Sequence, residues 1–235
     1  MDVAAVKHLP INVRLANAWN VALTGKDVTY RELLVSQGVN FPDGTPVAWL
    51  MNVGRSGRAK AERVRGPSFF TAVLMAGTRR NLKHFLLGGS PETLVELQKA
   101  LRERYPGVQI VGAYSPPFAP VDDDYIEDCA ARIVGEGADV VWIGLGTPKQ
   151  DVVGTALAAK IGITTINVGA AFDFCAGTVT EAPEWIQRSG FEWLFRLLAE
   201  PRRLWRRYLI GNVEFLWVAL RSLRTQRAAA KCGVD

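Results

Sequence analysis

The chain has 235 residues, 49% of them apolar and 22% charged, with a net charge of +5. That balance excludes a disordered or fibrous chain, and the length suffices to bury a full core without staples. Three cysteines and two histidines, none closely spaced, argue against a zinc ribbon or a disulfide framework and suit a reducing cytosol.

The opening stretch has no apolar run of the kind a signal peptide carries. From Ile11, "INVRLAN" reads as a short strand and "VTYRELLVSQG" as a helix closing on Gly38. "TPVAWLMN" from Thr45 reads as a strand, and "GPSFFTAVLMAGTRR" as a helix with Pro67 in its first turn. "KHFLLGG" is a strand, "PETLVELQKALRERY" an amphipathic helix with basic residues near its end, and "VQIVGAY" a strand. "VDDDYIEDCAARIVGEG" is a helix opened by acids, "DVVWIGLG" a nearly all-apolar strand, "PKQDVVGTALAAKIG" a helix and "ITTINVG" a further strand. Strands this apolar are buried on both faces, the habit of a parallel sheet covered by helices. The alternation therefore predicts a doubly wound α/β body over residues 1–189. Residues 190–235 read as a helical appendage, broken at Pro201 and crowded with aromatics and arginines. Within it, Arg221, Arg224, Arg227 and Lys231 recur at helical spacing and form a stripe.

Charge follows the same division. From Arg188 onward there are ten basic and four acidic residues, whereas residues 1–187 hold 18 basic and 19 acidic ones. A near-neutral body with a basic tail points to an anionic partner: a membrane surface, a nucleic acid or a phosphate. A transmembrane helix needs about 20 apolar residues; the longest uncharged stretch, Tyr105–Val121, carries four prolines.

Ligands of such a sheet bind at the carboxyl ends of its strands. The unusual sequence lies there: Asn17, "PDG" with Asp43, the pair Gly88 and Gly89, Tyr114 in "GAYSPPF", Gly144, Gly146, Lys149 and Gln150 in "GLGTPKQ", and Phe172 and Asp173 in "GAAFDF". "GLGTPKQD" puts glycines, a cation and a planar amide at a strand–helix junction, where backbone N–H groups can approach a phosphate. Its spacing matches neither a dinucleotide fingerprint nor a P-loop, so neither NAD nor ATP is indicated. Asp43 is either plain turn chemistry or a carboxylate held as a general base. "GRSGRAKAERVRG", with Arg55, Arg58, Lys60, Arg63 and Arg65, is either a solvated loop or a phosphate clamp. The Asp122–Asp124 run contains a D-x-D of the kind that holds a divalent cation, but acids in a first helical turn complement the helix dipole without one. Trp193, Trp205, Tyr208 and Trp217 among arginines suit a surface apolar on one side and anionic on the other. The body offers no nucleic-acid module, so the membrane surface is the expected partner and nucleic acid is not.

In order along the chain, "PDGTPV", "ERVRG", "FLLGG", "YPGVQIVGAYSPPF", "GLGTPKQ", "VGAAFDFCAGTV", "APEW" and "GFEWLFRLLAEPRRLWRRYL" together resemble the WecG/TagA/CpsF glycosyltransferases (glycosyltransferase family 26), from about residue 12 to residue 218. The resemblance implies a Rossmann-like, mostly parallel sheet flanked by helices, with a C-terminal appendage that targets the membrane. It implies an inverting transfer from a UDP-sugar to a polyprenyl-diphosphate-linked acceptor such as an undecaprenyl-diphosphate sugar, with neither metal nor cofactor. The products are bacterial surface polymers such as exopolysaccharides and teichoic acid, made at the inner face of the plasma membrane by a peripheral enzyme; a homo-oligomer is left open. By position, it makes Asp43 the catalytic base, with Arg63 and Gln150 tied to activity. Asn17 falls near the acceptor pocket, and Arg202, Arg203, Arg206 and Arg207 meet diphosphate groups. Departures from the family pattern are Asp151 where glutamate is usual, Glu181 where arginine is usual, and a first strand–helix unit missing or reduced before Ile11. The alternative reading, prompted by Glu181, is a non-catalytic nucleotide-sugar-binding or scaffold protein.

Overall fold

The computed structural model describes residues 10–36, 38–53 and 59–231, with side chains as far as residue 225. Arg55 and Arg58 of the basic loop lie outside the described residues, as do the side chains of Arg227 and Lys231. The chain forms two compact units. The first takes the stretch to Leu15, Glu32–Phe41 and Val64–Glu181; the second takes Ala16–Arg31, Pro42–Arg63 and the stretch from Ala182.

The first unit is built on a six-stranded sheet of β1 (Asn12–Ala16), β2 (Val39–Pro42), β3 (Lys83–Gly88), β4 (Gln109–Tyr114), β5 (Val140–Gly144) and β6 (Thr164–Asn167), in the order β2-β1-β6-β5-β3-β4. Every ladder from β1 across to β4 is parallel, which makes this the α/β architecture expected of the alternating pattern. Successive side chains of a strand point to opposite faces, and here both faces are covered. Leu86, Val140 and Trp142 pack on one side with Phe70 and Leu74 of α4 (Gly66–Thr78) and Leu97 of α5 (Pro91–Arg104). Phe85, Leu87, Val141 and Ile143 pack on the other with Ile133 of α6 (Asp123–Gly135) and Leu157 of α7 (Lys149–Ile161). Each such side chain, once buried, contributes about 1.5–3 kcal/mol. A short α8 (Ala171–Ala176) adds Phe172 to the first of these cores.

One patch of this interior is polar, and it fixes α7 to the sheet. Asn12 Nδ2 donates to Thr165 Oγ1 at 3.0 Å, Thr165 Oγ1 to the Gly154 carbonyl at 2.9 Å, and Asn167 Nδ2 to Asp151 Oδ1 at 2.9 Å. The fully buried Arg14 donates to Thr155 Oγ1 at 2.9 Å. Gly154 is obligatory there, since a Cβ would stand 2.0 Å from Asn12 Nδ2. Asp151, the one-carbon-shorter departure in "KQD", is thus an anchor for the helix that carries Lys149 and Gln150.

The second unit is helical: α1 (Ala18–Thr24), α3 (Thr45–Asn52), α9 (Glu184–Ser189), α10 (Glu192–Ala199), α11 (Pro201–Trp205), a π-helical turn over Arg206–Ile210, and the long α12 (Gly211–Lys231); α2 (Val28–Val35) runs across the boundary. Its core joins Ala22, Val47, Phe215 and Ala219, with Trp19, Leu50 and Met51 against them. The segment "TPVAWLMN" was expected as a strand and is the helix α3. Gly44 stands at its N-cap and Pro46 in its first turn, and Val47, Leu50 and Met51 share one face at helical spacing. On α12, Val213, Leu216, Trp217 and Leu220 fall at i, i+3, i+4 and i+7, and all are more than half exposed. Among the described residues no helix is long and apolar enough to cross a membrane.

Candidate active site

In the first unit the chain leaves β3 for β4 on one side and leaves β5 for β6 on the other. The carboxyl ends of β3 and β5 therefore form a topological switch point, where an open α/β sheet leaves a crevice. A cleft of about 400 Å³ lies there, lined by Gly89, Ser90, Ser115, Phe118, Gly144 and Lys149 among others. Ser90 caps α5, accepting from Thr93 N at 3.1 Å, and Ser115 Oγ donates to the Gly89 carbonyl at 2.6 Å. Lys149 Nζ donates to the Ala119 carbonyl at 2.7 Å and stands 4.2 Å from the Tyr125 ring centroid. An ammonium has three donors, so the bond to Ala119 leaves Lys149 capacity for an anion.

The residues read from the sequence do not all line this cleft. Gly88 pairs with Gly144 at the end of the β3–β5 ladder, and a Cβ on Gly88 would meet the Gly144 carbonyl at 2.8 Å. A Cβ on Gly144 would strike the Phe172 ring at 2.6 Å, so buried Phe172 is the floor under the crevice. Gly146 turns the chain with φ 75°, and its carbonyl accepts from Gln150 N at 2.9 Å. The Gln150 side chain is only 4% exposed, and its Oε1 has no hydrogen-bond partner among the described residues. An orphaned buried acceptor costs about 1–3 kcal/mol, which a ligand's donor would relieve. Asp173 accepts the Thr178 and Val179 amides through its carbonyl. Tyr114 turns to α6: its hydroxyl donates to Asp128 Oδ2 at 2.5 Å, and Arg132 stacks 4.0 Å over its ring. Asp122 of the acidic run is the N-cap of α6, accepting from Tyr125 N at 2.8 Å. Glu181 pairs with Arg65 at 2.5 Å, so the reversed charge has a guanidinium partner.

The second unit holds the carboxylate. Asp43 follows β2, and its amide donates to the Ala16 carbonyl at 2.8 Å. Burial pushes its carboxyl up from 3.8 to about 6, and the Glu192 charge pushes the same way; Arg63, Arg207 and Arg196 pull it back without overcoming them. Arg63 is held by α9 and α10, donating to Glu192 Oε2 at 2.6 Å and to the Gln187 carbonyl at 2.7 Å. Of the four arginines expected to meet diphosphate, Arg207 is the one whose charge acts on Asp43. Burial lowers its pKa, and its Nε has no partner among the described residues. Arg203 pairs with Glu200 at 2.8 Å, Arg202 is exposed, and exposed Arg206 lies 5.2 Å from the Trp205 ring centroid. Asn17 caps α1, accepting from Trp19 N at 3.0 Å.

Glu192 and Arg196 were not singled out from the sequence. The signal was their i, i+4 spacing in "GFEWLFRLL", which sets both on one face of α10. A half-buried carboxyl with a pKa near neutrality, ringed by guanidinium groups, can accept a proton where anionic groups gather. Among the described residues, no group of three or more His, Cys, Asp or Glu side chains is placed to hold a metal ion.

Residues 2–229 match the sequence model of the glycosyl transferase WecG/TagA/CpsF family. The match spans nearly the whole chain, both units included, and the protein belongs to that family of glycosyltransferases.

Proposed function

We propose that the protein moves a sugar from a UDP-sugar to a polyprenyl-diphosphate-linked sugar, inverting the anomeric centre without a metal, in the synthesis of a bacterial surface polysaccharide or teichoic acid. The observation that carries this reading is Asp43, whose carboxyl has a pKa of about 6 among Arg63, Arg196 and Arg207. The nucleotide of the donor binds in the switch-point cleft of the first unit. Asp43 accepts the proton of the acceptor hydroxyl as its oxygen attacks the anomeric carbon. The bond from that carbon to the diphosphate oxygen breaks on the opposite face, and UDP leaves with the electron pair. A positioned base supplies about 10²–10⁴-fold in rate. Negative charge grows on the leaving diphosphate, and Lys149, which lines that cleft, supplies counter-charge.

Residues 190–235 act as the appendage that brings the enzyme to the inner face of the plasma membrane. Two features support this role: the exposed apolar row Val213, Leu216, Trp217 and Leu220, and the basic excess of the segment. Such a helix lies in the interface with its apolar face buried, and anionic lipid attracts each nearby cation by about 1 kcal/mol.

The test is release of UDP from a panel of UDP-sugars, with and without a polyprenyl-diphosphate sugar in detergent, in the presence of EDTA. Release that requires one donor and the lipid acceptor together establishes the reaction. Absence of release with every pair, despite measurable UDP binding, refutes it.

A further inference from the structure

Phe118 takes no part in the proton transfer or in the charge neutralisation proposed for the reaction. Its side chain is fully exposed, yet the loop that carries it is held on several sides. Pro116 and Pro117 fix two successive φ angles. Ser115 Oγ ties the start of the loop to the Gly89 carbonyl at 2.6 Å. Beyond the ring, Ala119 N donates to the Pro117 carbonyl at 2.9 Å, and Lys149 Nζ donates to the Ala119 carbonyl at 2.7 Å. A braced loop that presents a bare aromatic ring to solvent is a poor use of an apolar side chain, unless something flat covers it.

The ring is also part of the wall of the switch-point cleft, beside Ser90, Ser115 and Lys149. The Lys149 ammonium stands 5.8 Å from the centroid of the Phe118 ring. Hydroxyls, one cation and one open π-face side by side fit a ligand in which a planar ring, a polar linker and an anion are joined in that order. A nucleotide has that order: base, ribose, phosphate. Every base has a π-face, so the ring receives a base without needing its hydrogen-bonding edge.

We propose that Phe118 is the stacking platform for the nucleobase of the donor, with the phosphates on the Lys149 side of the cleft. The assignment rests on the donor reading of this cleft and adds the residue that recognises the base. Phe118 is then an affinity determinant for the whole nucleotide and indifferent to the diphosphate alone.

The test is calorimetric binding to the full chain, wild type, Phe118→Ala and Phe118→Trp, with UDP, inorganic pyrophosphate and glucose 1-phosphate as probes. Loss of a base–aromatic stack weakens binding by about 5- to 150-fold, the equivalent of ~1–3 kcal/mol. Phe118→Ala should lose that much affinity for UDP and keep its affinity for pyrophosphate. Phe118→Trp should restore UDP binding and add an indole fluorescence signal that UDP quenches. Because the side chain is fully exposed, all three proteins should melt together. If wild type and Phe118→Ala bind UDP equally, the stacking role is overturned while the donor cleft stands. A loss confined to glucose 1-phosphate overturns it too, by assigning the ring to the sugar. If the wild type binds no UDP, the donor reading fails and the stacking role falls with it.

Discussion

Asp43→Asn should abolish turnover and stabilise the fold, and the second effect is the sharper test. The carboxyl titrates at about 6 rather than 3.8, so the folded protein holds its proton more tightly than the unfolded chain does. Below pH 3.8 the group is neutral in both states and costs nothing. As pH rises through 3.8 towards 6, the unfolded chain ionises first and stability is lost; above 6 the loss is complete. At about 1.4 kcal/mol per pH unit the full difference is about 3 kcal/mol, and partial exposure of the residue to solvent reduces it to about 1–3 kcal/mol. In a chain of this length each kcal/mol moves the melting midpoint by about 2–4 °C. Asp43→Asn should therefore melt about 2–12 °C higher than wild type at pH 7.5 and together with it near pH 4, with UDP binding retained. The assay is thermal unfolding across that range, paired with UDP release. A variant that melts at or below the wild-type midpoint at pH 7.5, or that turns over within a few-fold of it, refutes the claim that this carboxylate is held in a costly, base-competent state.

Other outcomes follow from the same geometry. Glu192→Gln removes a charge that raises the Asp43 pKa and frees Arg63, which lowers it, so the acid limb of the pH–activity profile should move to lower pH; a limb that stays put excludes the coupling. Buried His84, whose Nδ1 accepts from Trp142 Nε1 at 3.1 Å, is pushed by burial from 6.5 down to about 4. It stays neutral in the fold while the unfolded chain charges, so wild type should lose up to about 3 kcal/mol of stability as pH falls from 6.5 to 4. Denaturant titrations of His84→Gln should show that dependence flattened. Gly154→Ala, with a Cβ forced to 2.0 Å from Asn12 Nδ2, should lower stability by about 1–3 kcal/mol, measured by chemical unfolding. Leu216→Asp with Leu220→Asp should reduce sedimentation with anionic vesicles and leave the melting midpoint within about 2 °C, because both residues are exposed.

The strands that hold the cleft were legible in the sequence because they are short, apolar and bounded by turn residues. Val140–Ile143 has no reading but a strand buried on both faces. The segment from Thr45 to Asn52 reads as a strand because eight residues without a charge show no decisive period, and the deciding facts, Phe215 and Ala219 packed against Val47, lie far along the chain. Sheet order was not legible either. Nothing local says that β6 inserts between β1 and β5, and that insertion makes the switch point. For the site, strand ends gave the right neighbourhood but not the direction of side chains. Tyr114 closes β4 and yet turns to Asp128 on α6. The arginines of "EPRRLWRRYL" looked equivalent, but helical phase and the π-helical turn leave Arg207 half-buried while Arg202 and Arg206 are exposed. Glu192 beside Arg63 is a tertiary fact that spacing along one helix cannot state.

The second unit is assembled from three separated pieces of chain, and this orders events during synthesis. Ala22 and Val47 wait for Phe215 and Ala219, roughly 170–200 residues later. At translation rates of ~5–20 residues per second, that is a delay of about 10–40 s. The stretch from Val64 to Glu181 is continuous, and it can begin to fold during that interval while the early helices remain without their partner. Asp43 gains its guanidinium neighbours Arg196 and Arg207 only when the last helices emerge. With Asp43 in the proposed role of base, a ribosome-bound chain would not yet be competent for transfer, and competence would arrive together with the helices that carry the exposed apolar row.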